Sequence, residues 1–425
     1  MRRITICLLG GLCVIALTLV SCSQSEINPY DATQDQTAPV VTSFVYSGGQ
    51  ASWSTDEEAL CVLEYGEVGE DFEHYVYEAT KYYSTHHSVK LLGMEDGVDY
   101  VVRVRSLDRA GNEDYEASAT LPATITGRAY RNETMSLAMI DVGWGLSQLL
   151  TTPAGEHVMI DAGYSEKLAG VLDFLGERGV TTLRAAVMTH SHADHYGGFT
   201  ETAGVLQSHW AHTVVLPDTA TLYNSIPPYM ISISEQNGSE IIYVKQGDDS
   251  DNTDGLDWDD TPGFRVQVLS AGVGGLIDEE DDSGVEGMNT NNDSVVLRVT
   301  FGDVSFITTG DAEHFTEYGI IDEYGREGAK ADLLQIAHHG SDDSSSELWL
   351  ENVSPRVAFI SCAMIEAALE KEEVLQGIRA VDADYFVTDR VFPNTPRDAD
   401  PDYGNVIATT DGSTTIEVMI EQHSW

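Results

Sequence analysis

The pattern of apolar and polar residues divides the chain into two parts with different periodicity. Over residues 38–126, short segments alternate between apolar and polar side chains and are separated by turn residues, which is typical of a β-sandwich. Over residues 133–425, apolar strands alternate with segments of helical periodicity, which predicts a layered α/β domain. Because single cores stop growing near about 250 residues, a chain of 425 residues is expected to form two folded units, at residues 37–127 and 133–425.

The second unit contains a series of apolar runs that have the length of strands. Residues 166–178 have helical periodicity and are followed by Gly179, which predicts a helix that ends there. The predicted strands are residues 137–141, 149–152, 158–161, 185–189, 213–216, 264–269, 295–300, 304–308, 333–337 and 357–360.

The N-terminus has the pattern of an export signal. Two arginines precede an apolar run over residues 4–20, which is too short and too closely followed by polar residues to favour a membrane span. Residues 19–22 (LVSC) resemble the bacterial lipobox, which implies a lipid on Cys22. We therefore predict a signal peptide at 1–21, a tether at 22–36, and a lipid anchor on the extracytoplasmic side, at the bacterial cell surface or in the periplasm. A plain signal peptide and an uncleaved anchor are the alternatives.

Charge restricts the partners that the protein can attract. The chain has 70 Asp and Glu against 22 Lys and Arg, a net charge of −48. Such a surface repels polyanions at long range. We therefore expect no stable binding of duplex DNA.

Cysteine is sparse once the signal peptide and Cys22 are set aside. Cys61 and Cys362 remain, in different predicted units. We expect both to be small buried residues rather than a disulfide or a nucleophile.

A cluster of metal-binding side chains follows the predicted strand 185–189. It consists of His190, His192, Asp194 and His195, and glycines follow it. Residues i and i+2 of an extended chain point in the same direction, so these side chains can converge. Imidazole suits zinc and manganese, and carboxylate suits a harder cation. The cluster therefore predicts a divalent metal site.

This cluster resembles the metal motif of the metallo-β-lactamase superfamily, and within it most resembles the extracytoplasmic hydrolase domain of competence (ComEC-like) DNA-uptake proteins. Five further motifs, two before the cluster and three after it, occur in the order of that family. They are residues 139–145 (MIDVGWG), 159–163 (MIDAG), 291–298 (NNDSVVLR), 309–313 (TGDAE) and 337–341 (AHHGS). The resemblance covers most of residues 133–425 and implies the four-layer αββα fold of this superfamily.

The resemblance also implies roles for individual residues. His190 and His192 would hold one metal, and Asp194, His195 and one histidine of the pair His338 and His339 a second, with Asp311 bridging the two. His339 is favoured, because superfamily members place a histidine two residues before a serine, as His339 stands to Ser341. Around them, the resemblance implies supporting contacts from Asp161, Asn292, Ser294 and Ser341.

Two features of the sequence differ from the usual family pattern. Many two-metal members have a further histidine where this chain has Asn291, Asn292 and Ser294. We therefore expect two unequal sites for zinc or manganese, the weaker one completed by water or an amide oxygen. Trp144 and Leu146 stand where the competence-type relatives have polar residues.

The first unit resembles a fibronectin type III domain. Residues 91–112 resemble the second half of that fold, and residues 51–55 resemble its early strand with a core tryptophan. The resemblance implies that Tyr100 is a corner tyrosine whose hydroxyl satisfies a backbone group. Such modules are spacers or binding platforms, so a cell-surface partner is expected here. His74, His86 and His87 are expected to be solvent-exposed residues and not ligands.

The expected chemistry is hydrolysis by a metal-bound hydroxide. Asp194 would ligate metal and also accept a hydrogen bond from the hydroxide, while His338 or the hydroxyl of Ser341 would protonate the leaving group. The resemblance favours a phosphodiester substrate, such as nucleic acid. One alternative is hydrolysis of an ester, thioester or β-lactam, and another is a non-catalytic, surface-binding lipoprotein.

Overall fold

The computed structural model describes most of the chain after the N-terminal segment. The described residues are 35–79, 81–115, 121–128, 133–200, 203–218, 228–272, 290–362, 371–390, 392–394 and 403–422. The predicted signal peptide, Cys22 and most of the predicted tether lie outside them. None of the helices in the described part of the chain has both the length and the apolar character that crossing a membrane requires.

The N-terminal part is all β in its described residues. Its strands are β1 (Val41–Ser47), β2 (Gln50–Glu67), β3 (His74–Glu78), β4 (Ser84–Lys90), β5 (Asp99–Leu107), β6 (Glu113–Asp114) and β7 (Ala123–Thr126). β2 has 18 residues. Its first half pairs with β1 and β4, and its second half pairs with β3 and β5.

The core of this part contains the aromatic residues that the sequence singled out. Trp53, Tyr65 and Tyr100 are buried in one apolar cluster. The Tyr100 hydroxyl accepts a hydrogen bond from the Glu95 backbone N–H at 3.1 Å. This is the backbone contact expected of a corner tyrosine, and the fibronectin type III assignment stays a prediction.

The expected exposure of the histidines in this part is correct only for His86. His87 is 3% exposed, because alternation along β4 turns it inward, where its ring stacks on Trp53 at 5.3 Å. His74 is half-buried, and its Nδ1 lies 2.9 Å from Oε1 of Glu417, a residue of the C-terminal part of the chain.

The C-terminal part contains two sheets. The strands of the first are β8 (Met135–Met139), β9 (Ser147–Thr151), β10 (His157–Ala162), β11 (Thr182–Val187), β12 (Trp210–Pro217), β13 (Glu240–Val244), β20 (Gly404–Thr410) and β21 (Thr415–Gln422). The strands of the second are β14 (Phe264–Ser270), β15 (Val296–Phe301), β16 (Val304–Thr308), β17 (Leu333–Gln335), β18 (Val357–Ile360) and β19 (Asp384–Val387). Each predicted strand overlaps an observed one.

Helices cover the outer face of each sheet. They are α1 (Leu168–Glu177), α2 (Ala193–Thr200), α3 (Val205–Ser208), α4 (Pro228–Asn237), α5 (His314–Ala329), α6 (Glu347–Val353) and α7 (Glu372–Ala380). Short 3₁₀ turns occur at Ser165–Lys167, Asn291–Asp293 and Ala337–Gly340. The helix predicted over residues 166–178 is therefore present as a 3₁₀ turn followed by α1.

Three apolar clusters hold these layers together. The central cluster joins the inner faces of the two sheets, for example Val187 and Phe306. A second cluster packs α1 to α4 on the first sheet, and a third packs α5 to α7 on the second sheet. The predicted αββα order of layers is confirmed.

The two parts of the chain share one sheet. β3 pairs antiparallel with β21, from Glu78 opposite Thr415 to His74 opposite Met419. In the described residues, strands of both parts therefore form a continuous 15-stranded sheet. Cys61 and Cys362 are both buried, as predicted.

Candidate metal centre

The candidate ligands lie where several strands of both sheets end. His190 and His192 follow β11 in a loop, while Asp194 and His195 lie in the first turn of α2. Asp311 follows β16, and His339 lies in the 3₁₀ turn after β17. The expectation that the whole cluster sits on extended chain is therefore wrong for Asp194 and His195, which a helical turn directs inward.

Two groups of side chains could each hold a metal. Asp194, His195, Asp311 and His339 offer ligand atoms within 4.8 Å of one another, and so do His190, His192 and Asp311. All except the half-buried His192 are buried. The structure thus brings together all six residues for which the sequence predicted a ligand role, and Asp311 is common to both groups.

The geometry around Asp311 fits a bound cation. Its Oδ2 lies 3.1 Å from His195 Nε2, 3.6 Å from His190 Nε2 and 3.7 Å from His339 Nε2. Among the described residues, His190 Nε2, His195 Nε2 and Asp311 Oδ1 are buried without a hydrogen-bond partner. Because unpaired buried polar atoms are rare and costly, these converging atoms suit a divalent metal.

The outer ring nitrogen of each histidine has an oxygen partner. The contacts are His190 Nδ1 to Thr189 Oγ1 at 3.1 Å, His192 Nε2 to Thr290 Oγ1 at 2.7 Å, His195 Nδ1 to Asp161 Oδ2 at 2.7 Å, and His339 Nδ1 to the Ser361 carbonyl at 2.9 Å. Such partners fix the orientation of the ring and its tautomer. Asp161 has the orienting position predicted for it, whereas Thr189, Thr290 and Ser361 were not predicted.

Asn292 and Ser294 form hydrogen bonds with Asp311 and with residues that follow it in the chain. The Ser294 hydroxyl accepts a hydrogen bond from the Asp311 backbone N–H at 3.1 Å. Asn292 Nδ2 donates to Glu313 Oε2 at 3.0 Å, and its Oδ1 accepts from Thr316 Oγ1 at 2.8 Å. The Asn292 amide oxygen is therefore engaged at the start of α5, which argues against it as the oxygen that completes the weaker site.

His338 lies at the rim of the centre. Its Nδ1 is 2.9 Å from Asp343 Oδ1, and Ser341 also hydrogen-bonds to Asp343. Burial opposes the charged form of His338, but the bond to Asp343 and the negative charge of Asp311 raise its pKa to about 9. The contact with Asp343 therefore favours the protonated form of His338.

Comparison with protein families decides the assignment. The family model for the metallo-beta-lactamase superfamily matches residues 145–363, which are 219 of the 425 residues. This chain belongs to the metallo-beta-lactamase superfamily. The match includes all six candidate ligands, and a buried His and Asp cluster is the metal site that this fold implies.

Two bacterial relatives each match about half of this chain. ComE operon protein 3 of Bacillus subtilis is 28% identical over 242 residues, which cover 52% of this chain and 28% of that protein. Competence protein ComA of Neisseria gonorrhoeae is 26% identical over 238 residues, which cover 56% of this chain and 28% of that protein. The chain thus spans just over a quarter of the length of these relatives.

Solved structures give weaker likenesses. The metallo-beta-lactamase fold protein YhfI from Bacillus subtilis is 12% identical, with a TM-score of 0.39 over 61% of this chain and 99% of that one. The long form RNase Z from yeast is 10% identical, with a TM-score of 0.35 over 61% of this chain and 46% of that one. At such TM-scores neither supports a conclusion about this protein.

In this superfamily member, the pKa values of two candidate histidine ligands shift in opposite directions. Burial and the neighbouring His195 hold the pKa of His190 well below its ordinary value. Burial also opposes a charge on His195, but the carboxylates of Asp311, Asp161 and Asp194 raise its pKa well above its ordinary value. Metal binding at this centre would therefore displace a proton from His195.

Proposed function

We propose that this protein is an exported, lipid-anchored hydrolase that cleaves phosphodiesters with the help of two divalent ions, zinc or manganese. The observation that carries the proposal is the position of Asp311, which belongs to both ligand groups. Two divalent ions held close together generate a nucleophile from water near neutral pH and stabilise the attacking and leaving oxygens.

The two ligand groups support unequal positions. One position would have four protein donors, Asp194, His195, His339 and Asp311, and the other only three, His190, His192 and Asp311. We therefore propose that the four-donor position binds metal more tightly. The three-donor position would keep more of its coordination sphere for water and substrate.

His338 is proposed to protonate the leaving group. Its Nδ1 is held by Asp343, which leaves Nε2 as the nitrogen that can donate a proton to the leaving oxygen. Burial opposes the charged form, but the hydrogen bond to Asp343 raises the pKa of His338, which favours the protonated form that general acid catalysis requires.

A phosphodiester is favoured by the resemblance of the motifs to those of competence (ComEC-like) hydrolase domains, and one relative is named a competence protein. The net charge of −48 opposes duplex DNA, because long-range repulsion dominates the encounter. A bound metal pair provides a local positive charge that can attract a single phosphate. We therefore propose a small phosphodiester or a short single strand as the substrate.

The test compares several substrates under one set of conditions. The protein is offered bis-p-nitrophenyl phosphate, a single-stranded oligonucleotide, p-nitrophenyl acetate and nitrocefin. The proposal predicts cleavage of the phosphodiesters, and a loss of about 100-fold in kcat/KM in His192→Ala, because His192 would be a metal ligand. The control His86→Ala, which alters an exposed histidine, is expected to behave as the unmodified protein.

Other outcomes identify the alternatives. Cleavage of nitrocefin or of the acetate ester alone would replace the phosphodiesterase by a β-lactam or ester hydrolase. Bound metal without turnover of any substrate would favour a non-catalytic surface-binding lipoprotein.

Export and lipid attachment are supported by the sequence alone. The lipobox-like residues 19–22 lie outside the described residues. We propose that the mature protein is held at the membrane through Cys22, and that its β-sandwich faces a cell-surface partner. Cys22→Ser is expected to abolish labelling with radioactive palmitate and to move the protein from the membrane fraction to the soluble fraction, whereas an unchanged distribution would contradict the anchor.

A further inference from the structure

Trp144 contacts two of the candidate ligands. It lies in the glycine-rich loop between β8 and β9, and its indole Nε1 donates to Asp194 Oδ2 at 3.0 Å. The same carboxylate oxygen lies 3.2 Å from His339 Nε2. The Trp144 and His339 rings are 5.9 Å apart at an angle of 46°. One half-buried indole therefore faces two ligands of the four-donor position.

The backbone of the same loop holds Asp194 from a second side. The Leu146 N–H donates to the Asp194 carbonyl at 3.0 Å. Gly145 has a φ of 117° and packs so closely that a Cβ there would lie 2.4 Å from the same carbonyl oxygen. A side chain at this position would therefore displace either the loop or Asp194.

Contacts from the loop also reach His339. The Ser361 hydroxyl donates to the Gly145 carbonyl at 2.5 Å, and the Ser361 carbonyl lies 2.9 Å from His339 Nδ1. Trp144, Asp194, His339, Ser361 and Gly145 thus form a closed ring of contacts. A shift of the loop would therefore move both Asp194 and His339.

The three-donor position is oriented by different groups. Thr189 contacts the outer nitrogen of His190, and Thr290 contacts that of His192. Thr189 directly precedes His190, and Thr290 directly precedes the 3₁₀ turn Asn291–Asp293. Neither threonine belongs to the glycine-rich loop. A change in the glycine-rich loop should therefore affect one metal position more than the other.

We infer that Trp144 is a positioning residue for the metal position formed by Asp194, His195, His339 and Asp311. Its indole N–H holds the carboxylate of Asp194 in its orientation, and its ring packs beside the ring of His339. This inference rests on the proposed metal centre. Hydrogen bonds to a carboxylate are stronger than those between neutral groups, and loss of a group that orients a ligand weakens metal binding by about 10–100-fold.

The experiment measures zinc binding by the full-length chain after treatment with chelator. Trp144→Phe keeps an aromatic ring and removes the N–H, so it isolates the hydrogen bond. We expect one of the two zinc equivalents to bind about 10–100-fold more weakly, and the other to be unaffected. Trp210→Phe is the matched control, because Trp210 is 44% exposed on β12, and its zinc binding should equal that of the unmodified protein.

A second measurement follows zinc binding in the unmodified protein and uses the variant only to assign one resonance. The protein is labelled with ¹⁵N-tryptophan, and the Trp144 indole resonance is assigned as the one that is missing from the spectrum of Trp144→Phe. This resonance should shift with the first zinc equivalent. The indole resonance of Trp210 should not shift.

Each result decides a different claim. Equal zinc affinities in Trp144→Phe and in the unmodified protein, or a Trp144 indole resonance that zinc does not move, would overturn the inference. Failure of the unmodified protein to bind zinc would overturn both this inference and the proposed centre. Zinc binding that depends on Trp144 in a protein that cleaves no phosphodiester would support the inference and remove the proposed function.

Discussion

His195 and Asp161 form a fully buried pair in which Nδ1 and Oδ2 lie 2.7 Å apart. Asp161 has a φ of 54°, a left-handed conformation that is uncommon outside glycine. Its other oxygen accepts the Thr189 backbone N–H at 2.9 Å. Asp161 at the end of β10 therefore orients a candidate ligand and also holds the chain that leads into the ligand loop. Such local strain persists where the surroundings impose it, commonly at functional sites.

Removal of this carboxylate should weaken metal binding although every candidate ligand remains. We predict that Asp161→Ala lowers the affinity for zinc by about 10–100-fold, because the ring of His195 loses the group that orients it. Equilibrium competition with a chromophoric chelator measures the effect. Asp173→Ala, which alters an exposed residue of α1, serves as the control, and the same affinity in both variants would contradict the assigned role of Asp161.

Much of the layered architecture could be predicted because strands buried on both faces are continuous apolar runs. β16 and β18, for example, have the predicted bounds. β13 (EIIYV) was missed, since it is a short strand at the end of its sheet in which four of the five residues are exposed or half-buried. β20 and β21 were missed because threonine, asparagine and glutamate interrupt their apolar residues.

The candidate centre was predictable only to the extent that its residues carry motifs. Histidine and aspartate are recognisable by type and spacing, so the candidate ligands could be named. Thr290 contacts His192 across 98 positions of sequence, and Ser361 acts through a backbone carbonyl. A hydroxyl or a carbonyl gives no signal in sequence until the fold brings it to a ring nitrogen. The same holds for His74, whose burial depends on the pairing of β3 with β21.

The junction between the two parts of the chain should contribute to stability. Glu417 on β21 is 3% exposed. It accepts hydrogen bonds from the Tyr65 hydroxyl and from the backbone N–H groups of Leu92 at 2.5 Å and Gly93 at 3.0 Å. Because Glu417→Ala would leave the buried Tyr65 hydroxyl without this acceptor and would remove the acceptor of two backbone N–H groups, we predict that it lowers the free energy of unfolding by about 1–3 kcal/mol.

Urea unfolding followed by circular dichroism measures this loss. Glu323→Ala, at an exposed position of α5, should leave the free energy of unfolding unchanged. We also expect a single cooperative transition for the unmodified protein. Two separate transitions would show that the parts fold independently. A neutral effect of Glu417→Ala would contradict the stabilising role of Glu417 at the junction.

His87 should make stability depend on pH. Burial opposes its charged form, but the neighbouring Cys61 and the hydrogen bond with Glu78 raise its pKa from 6.5 to about 9. A pKa raised by folding stabilises the folded state fully below the unfolded value, and this contribution is lost as pH rises through the folded value. We therefore predict that the unmodified protein loses more stability between about pH 6.5 and about pH 9 than His87→Gln does.

Urea midpoints across that pH range provide the comparison. The expected difference is on the order of 1 to 3 kcal/mol in the free energy of unfolding. His86→Gln, at the exposed neighbour, should retain the pH dependence of the unmodified protein. Parallel pH profiles for the unmodified protein and His87→Gln would contradict a charged His87.

The most direct test of the metal centre is the metal content of the protein after purification without chelator. Inductively coupled plasma mass spectrometry should find zinc or manganese in the unmodified protein, with one equivalent held more tightly than the other. Asp311→Asn should lose metal from both positions, because Asp311 belongs to both ligand groups, while Asp322→Asn at an exposed position should retain it. An unmodified protein free of divalent metal, or an Asp311→Asn variant with undiminished content, would contradict the account.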